Sequence, residues 1–274
     1  MSMKSLLSQF EKEFKDKEFE HIVVDNHSED GSEVKLKKTV EGKIGFHLIE
    51  SNQNNGFGAG NNLGAKNAQG KYLLFLNNDT VVTTSSILDM ITWMENHSDV
   101  AILGGALTNE DGSAQSSSGS FYTLGNALLL LFGLQRFGII DKSPKKIQKV
   151  DFVKGACLMI RKSIFEKLKG FDEQIFMYTE DMELSYRAKK SGFLTYFFPN
   201  TGIIHKEHGS SSRSFAIVNI YQSLLYFYSK HRPRWEYILL RMLLMGKACI
   251  LICIGKITGN SYLSQTYEKA LAVC

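Results

Sequence analysis

Five consecutive apolar residues, Tyr72-Leu-Leu-Phe-Leu76, stop abruptly at Asn77-Asn78-Asp79. A strand with one wet face alternates apolar and polar side chains. This one does not, so both of its faces must be covered, as in sheets with helices packed on either side. Two other short runs, His21 to Asp25 and Phe46 to Ile49, also give way to polar stretches. Helical spacing follows Thr83 and returns over Ile164 to Lys169 and Met182 to Lys190. Strands alternating with helices predict an α/β domain around a mainly parallel sheet with flanking helices. Open sheets of this kind bind ligands beyond the carboxyl ends of their strands. Asp25-Asn26, Asn77-Asn78-Asp79 and His205, which follows Ile203-Ile204, all fall there. The pattern therefore gathers residues that are far apart in sequence into one crevice.

The 274 residues, 43% hydrophobic and 22% charged, supply a sizeable core for one large domain with an appendage, and exclude a disordered chain. Leu6, Leu7, Phe10 and Phe14 predict an amphipathic helix within the first twenty residues, which carry no signal-peptide pattern, so a cytoplasmic location is expected. The four cysteines, Cys157, Cys249, Cys253 and Cys274, are too few and too clustered for a disulfide framework. A net charge of +4 is too small for a dedicated nucleic-acid binder, and no nucleic-acid partner is expected. Between Lys230 and Lys247 five basic side chains stand against Glu236 alone, so one segment carries the whole excess.

That segment lies in a stretch of different texture. Ala216 to Ile257 is almost entirely helix-forming, apolar or aromatic, with basic punctuation. Arg241 and Lys247 interrupt its most apolar part, which makes it a poor spanning helix. A basic amphipathic helix at the inner face of the cell membrane suits the pattern; a helix packed on the domain's own core is the alternative. The chain thus divides into residues 1–215 and a helical region, 216–274. A second apolar stretch, Ala127 to Leu134, is too short to span a membrane.

Several residues have types suited to catalysis. A carboxylate at the end of a buried strand, such as Asp79, can hold a divalent metal alongside phosphate oxygens. An Asn/Asp turn before a helix explains the same tripeptide. In Tyr178-Thr179-Glu180-Asp181-Met182-Glu183-Leu184, Thr179 is placed to cap a helix whose first turn holds Glu180 and Asp181. The helix dipole would favour their ionised forms, and an ionised Asp can accept a proton from a hydroxyl. A favourable helix-start charge pattern is the alternative. The glycines of Gly56 to Gly64 lack the dinucleotide spacing, so nicotinamide binding is not expected.

Order carries more than any single piece. VVDNHSEDGS, then NNGFGAGNNLGAKNAQGKYLLFLNNDTVV, then VDFVKGACLMIRKSIFEKLKGFDEQIFMYTEDMELSYRAKKSGF, then FFPNTGIIH resembles the family-two inverting glycosyltransferases over about residues 20–215, and among them the bacterial rhamnosyltransferase-like branch. The resemblance implies a GT-A fold, a nucleoside-diphosphate-sugar donor, a glycan or lipid-linked acceptor and a divalent metal, Mg²⁺ or Mn²⁺. It places Asp25 and Asn26 at the nucleotide base. Asn61 and Asn62 would lie in the loop facing the nucleotide and phosphates. Asn77-Asn78-Asp79 stands where the family has its D-x-D motif, which gives Asn78 to the donor and Asp79 to the metal. Gly155 and Ala156 line the donor-sugar pocket. Glu180-Asp181 matches the family's E-D pair, with Asp181 as the catalytic base; Arg187 matches an Arg on the following helix, and His205 a His near the diphosphate or metal. Relatives also begin with a strand reading roughly I-I-V-T-Y-N, which has no counterpart before Val23-Val24-Asp25-Asn26. An accessory subunit that keeps the fold without donor binding is therefore the alternative to an active transferase.

Overall fold

In the computed structural model the described residues are 19–41, 45–82, 86–131, 141–206 and 212–274. The two-faced run becomes strand β3 (Tyr72–Leu76), preceded by β1 (His21–Asp25), α1 (Ser32–Val40), β2 (Phe46–Glu50) and α2 (Gly56–Asn67). There follow β4 (Thr80–Val82), α3 (Ser86–Glu95), β5 (Val100–Thr108), the short strands β6 (Ala114–Gln115) and β7 (Ser118–Gly119), and α4 (Leu124–Leu131). Next come β8 (Asp141–Lys142), β9 (Gln148–Val150), β10 (Phe152–Val153), β11 (Cys157–Arg161), α5 (Lys162–Lys167), α6 (Glu180–Lys190) and β12 (Leu194–His205). Three helices close the chain: α7 (Arg213–His231), α8 (Arg234–Ile257) and α9 (Ser261–Ala272). The helix expected near the start falls on residues 1–18, outside the described residues.

The main sheet runs β3-β11-β5-β12-β4, with β6 on β5 and β9 on β12. It is mixed, where the sequence pattern predicted mainly parallel pairing. β11 lies antiparallel to both β3 and β5, and β12 lies parallel to β5. β3, β5 and β12 therefore share one direction, and their carboxyl ends share one edge. Among the described residues β1 and β2 pair only with each other, in parallel.

Both faces of β3 are covered, as its composition requires. Leu73 and Phe75 pack with Phe165, Phe171 and Leu184 beneath α2, α5 and α6. Tyr72, Leu74 and Leu76 face the opposite layer, where Met90 and Met94 of α3 are wholly buried. Each such side chain contributes roughly 1.5–3 kcal/mol. Gly104 allows β5 to meet β10: a Cβ there would stand 2.2 Å from the Val153 Cβ. A third cluster joins Phe121, Ala127, Phe152 and Met182 to Tyr221, Phe227, Tyr228, Leu240 and Leu244. The C-terminal helices thus share a core with the residue next to Asp181.

Candidate active site

β12 pairs antiparallel with β4, with His205 opposite Thr80. That register, with the turn closed by Thr80 N–H on the Asn77 carbonyl at 3.1 Å, sets Asp79 beside His205. His205 Nε2 stands 3.2 Å from Asp79 Oδ1 and 3.4 Å from Asn77 Nδ2. Gln115 Nε2 donates to Asn109 Oδ1 at 2.8 Å and to the His205 carbonyl at 3.2 Å, so its Oε1 is an acceptor. His205 Nδ1, 2.7 Å from that Oε1, is therefore the donor to it, which turns Nε2 toward the Asn77 amide and Asp79 Oδ1. Asp79 Oδ1 is buried and receives no hydrogen bond. A carboxylate oxygen without a donor, with an imidazole nitrogen 3.2 Å away, is a pair of groups able to hold a cation. Among the described residues no three or more His, Cys, Asp or Glu side chains form a metal-binding group. A divalent ion here would take one oxygen and one nitrogen from the protein and complete its shell with water and phosphate oxygens; the imidazole suits a transition-metal ion better than Mg²⁺, which prefers oxygen. Asn78 is exposed on the same turn.

The Asn77 N–H donates to the Ala156 carbonyl at 3.2 Å, which brings the loop before β11 against this turn. One residue earlier, the Gly155 N–H donates to Asp181 Oδ2 at 3.0 Å. Asp181 Oδ1 accepts from the Met182 N–H at 2.7 Å. Asp79 and Asp181 thus flank one three-residue bridge at the sheet edge. Gly155 also sits against the Phe57 ring, 3.4 Å from a Cβ built on it.

Phe57 opens α2, and its N–H donates to the Phe176 carbonyl at 2.9 Å. Gly56 makes this join possible. Its φ is +89°, and a Cβ would lie 2.1 Å from the Phe176 oxygen. Asn26 Nδ2 donates to the Gly56 carbonyl and to Asn54 Oδ1, both at 3.0 Å. Its buried Oδ1 has no partner. Asp25 is buried at the end of β1 and accepts the Ser28 N–H at 3.3 Å. Contacts therefore run unbroken from Asp25-Asn26 through Phe57, Gly155 and Ala156 to Asp181 on one side and Asp79–His205 on the other.

α6 starts differently from the expectation. Thr179 is left-handed, with φ +68°, and its hydroxyl donates to the Tyr178 carbonyl at 2.5 Å instead of capping the helix. Tyr178 is also left-handed, with φ +68°. Such conformations cost on the order of 1–2 kcal/mol for each non-glycine residue. At Glu180 burial opposes the ionised form that the helix start would favour. Desolvation and the neighbouring Asp181 push its carboxyl up to about 8, and its Oε2 is buried without a partner. Burial also raises Asp181, against the Gly155 and Met182 N–H groups and the Lys154 charge, which favour the carboxylate.

Three residues expected at the donor make hydrogen bonds within the protein. Arg187 is a brace: its guanidinium grips Glu183 at 2.7–2.9 Å and donates to the carbonyls of Gly170, at 2.7 Å, and Leu168. Asn62 is a brace as well. It is buried, donates to the Phe171 carbonyl and Glu173 Oε1, both at 2.9 Å, and accepts the Phe171 N–H at 2.8 Å. Asn61 turns its amide onto the Phe57 carbonyl of its own helix, at 2.9 Å. Two further residues shape the site: Phe57 lies inside the GFGAG stretch, whereas no local sequence pattern marks Gln115.

A family model, Glycosyl transferase family 2, matches residues 2–169. The match ends before Glu180-Asp181. Among curated proteins, N-acetylglucosaminyl-diphospho-decaprenol L-rhamnosyltransferase of Mycobacterium tuberculosis is 32% identical over 103 residues, 37% of this chain and 34% of that protein. Rhamnosyltransferase WbbL of Escherichia coli K12 is 27% identical over 58% of this chain and 64% of its own length. Low-salt glycan biosynthesis hexosyltransferase Agl10 of Haloferax volcanii is 27% identical over 62% and 53%. The chain thus spans about a third to two thirds of these relatives. Among solved structures, GalNAc-T7 with UDP, GalNAc and Mn²⁺ superposes with a TM-score of 0.57 at 14% identity, over 84% of this chain and 47% of that one. S. aureus TarS 1–349 superposes at 0.51, also 14% identical, over 99% and 83%. These two show the GT-A-like fold. With more than half of its residues inside the family model, the chain belongs to glycosyl transferase family 2.

Proposed function

We propose that this chain is an inverting glycosyltransferase of cell-surface polysaccharide synthesis, moving a sugar from a nucleoside diphosphate to a hydroxyl of a glycan or lipid-linked acceptor. One observation carries the reading: the Asn77–Ala156 and Gly155–Asp181 hydrogen bonds join the Asp79–His205 pair to a buried carboxylate at one sheet edge. Asp25 and Asn26, with Gly56 and Phe57 between, extend that edge on the side assigned to the nucleotide. The names of the Mycobacterium and Escherichia relatives support rhamnose as the sugar, and the former supports a diphospho-lipid acceptor.

In the proposed step the acceptor hydroxyl attacks the anomeric carbon as the bond to the diphosphate oxygen breaks. Asp181 takes the hydroxyl proton, and one displacement inverts the anomeric centre. The Gly155 and Met182 N–H groups hold Asp181 in place and favour its carboxylate against the burial that raises it. Burial and the Asp181 charge shift Glu180 toward its neutral form, which limits a second negative charge beside the base. Asp79 and His205 would hold a divalent ion, which when bound offsets the charge of the departing diphosphate. The test is a screen of UDP- and dTDP-sugars with and without Mn²⁺ or Mg²⁺, reading nucleoside diphosphate release and calorimetric donor binding. Metal-dependent release is expected. Neither release nor binding would favour the accessory-subunit reading.

The exposed face of α8 supports attachment to a membrane surface. Trp235, Met242, Ile250 and Ile257 are 57–85% exposed. The helix has 24 residues and a mean hydropathy of 2.1 in its most apolar window. Its other face, Leu240, Leu244 and Ala248, is buried among the C-terminal helices. Glu268 and Lys269 are exposed on the adjoining α9, and a spanning orientation would carry these charges into hydrocarbon. An in-plane helix avoids that cost.

A further inference from the structure

Glu183 lies two residues beyond Asp181 on α6 and is wholly shielded from solvent, yet its carboxylate is surrounded by hydrogen-bond donors. Besides Arg187, it meets His231 Nε2 at 2.9 Å and Lys230 Nζ at 3.2 Å, both from the end of α7. Lys230 also pairs with Asp172, which accepts the Tyr226 hydroxyl at 2.9 Å. Tyr226 and Lys230 stand one helical turn apart, so a single face of α7 reaches both acids. The ring of His231 packs between Tyr186 of α6 and Phe227. Met182 packs into the same C-terminal core, and these polar contacts add a directional tie to that packing at the first turn of α6. That turn has no side-chain cap and is entered through two left-handed residues, Tyr178 and Thr179. Arg187 ties the helix only to the Leu168–Gly170 turn on its other flank.

We infer that Lys230 and His231 are positioning residues for Asp181: the end of α7 plugs into the Asp172–Glu183 socket and sets the rotation of the turn that carries the base. This rests on the proposed transferase reading for its kinetic consequence, not for its structural one. The C-terminal helices are then part of the catalytic unit as well as a membrane attachment. A base displaced by about 1 Å costs on the order of 10² in rate while leaving the donor site intact.

The test uses the full chain with Lys230→Met and His231→Leu, and the conservative Lys230→Arg and His231→Gln, which keep a donor at each place. Two readouts are taken: kcat and donor KM for sugar transfer, and hydrogen exchange of the Met182 and Glu183 amides against those of β5. The expected result is a fall in kcat on the order of 10–100-fold with donor KM within about twofold, and exchange roughly tenfold faster at the α6 start with β5 unchanged. The conservative variants should recover both. Unchanged kcat, or unchanged exchange at Met182 and Glu183, overturns the inference. If the wild-type chain binds no donor, the transferase reading fails, and exchange alone still decides the positioning role. Should His231→Leu not fold, Lys230→Met, whose side chain is 37% exposed, decides the matter by itself.

Discussion

Replacing Asn62 by Ala separates the two roles open to that residue. As a brace it satisfies the N–H and the carbonyl of Phe171, a residue only 2% exposed. Alanine leaves both groups without a protein partner, at roughly 1–3 kcal/mol each, or about 2–6 kcal/mol together. Alanine in α2 returns about 0.6 kcal/mol through its better helix propensity. The Glu173 carboxylate also loses a donor, but from an exposed position, and adds little. The net expectation is a loss of about 1.5–5 kcal/mol in urea or guanidinium unfolding. Below the unfolding transition, donor affinity should stay within about threefold, since 1.4 kcal/mol is a factor of ten in binding. A loss below about 1 kcal/mol together with a collapse of donor affinity would refute the brace and return Asn62 to the phosphates.

Asp181→Asn should bind donor as the wild type does and lose turnover by roughly 10²–10⁴-fold, measured as nucleoside diphosphate release; near-normal rates would remove it as the base. Glu180 has its folded-state carboxyl raised to about 8 from an ordinary 4.5, so the folded state holds a proton the unfolded chain has released, and stability should fall as pH rises across that window. Glu180→Gln should flatten the fall in a thermal-melt series from pH 5 to 9; an identical slope would contradict the assignment. Trp235→Ser with Ile250→Ser should weaken sedimentation with anionic vesicles while leaving the melting temperature nearly unchanged, and unaltered sedimentation would exclude α8 as the attachment.

The apolar doubling of β3 was enough to announce helices on both sides, because a face without polar residues has nowhere else to go. Strand direction was not legible. An apolar run reads the same whichever way its neighbour points, and β11 enters the sheet reversed. The shared edge of Asp79 and His205 followed from strand ends alone. The roles of Asn62 and Arg187 did not, since a motif marks that a residue is constrained without saying by what. Thr179 has the chemistry of a cap, but its backbone turns left-handed and carries the hydroxyl away. Gln115 and the Lys230–His231 pair act across 90 and 47–48 residues of sequence, which leaves no local pattern to read.

The central claim is that Asp79 and Asp181 border a single crevice that receives a metal-bound nucleoside diphosphate. Paramagnetic broadening by Mn²⁺ added with UDP or dTDP to the isotope-labelled chain tests it directly. The amides of Asn77, Gly155 and Met182 and the His205 ring should broaden together, and Asp79→Asn should abolish the effect at all four. Broadening at Asn77 and His205 that spares Gly155 and Met182, or broadening that survives Asp79→Asn, would contradict the account.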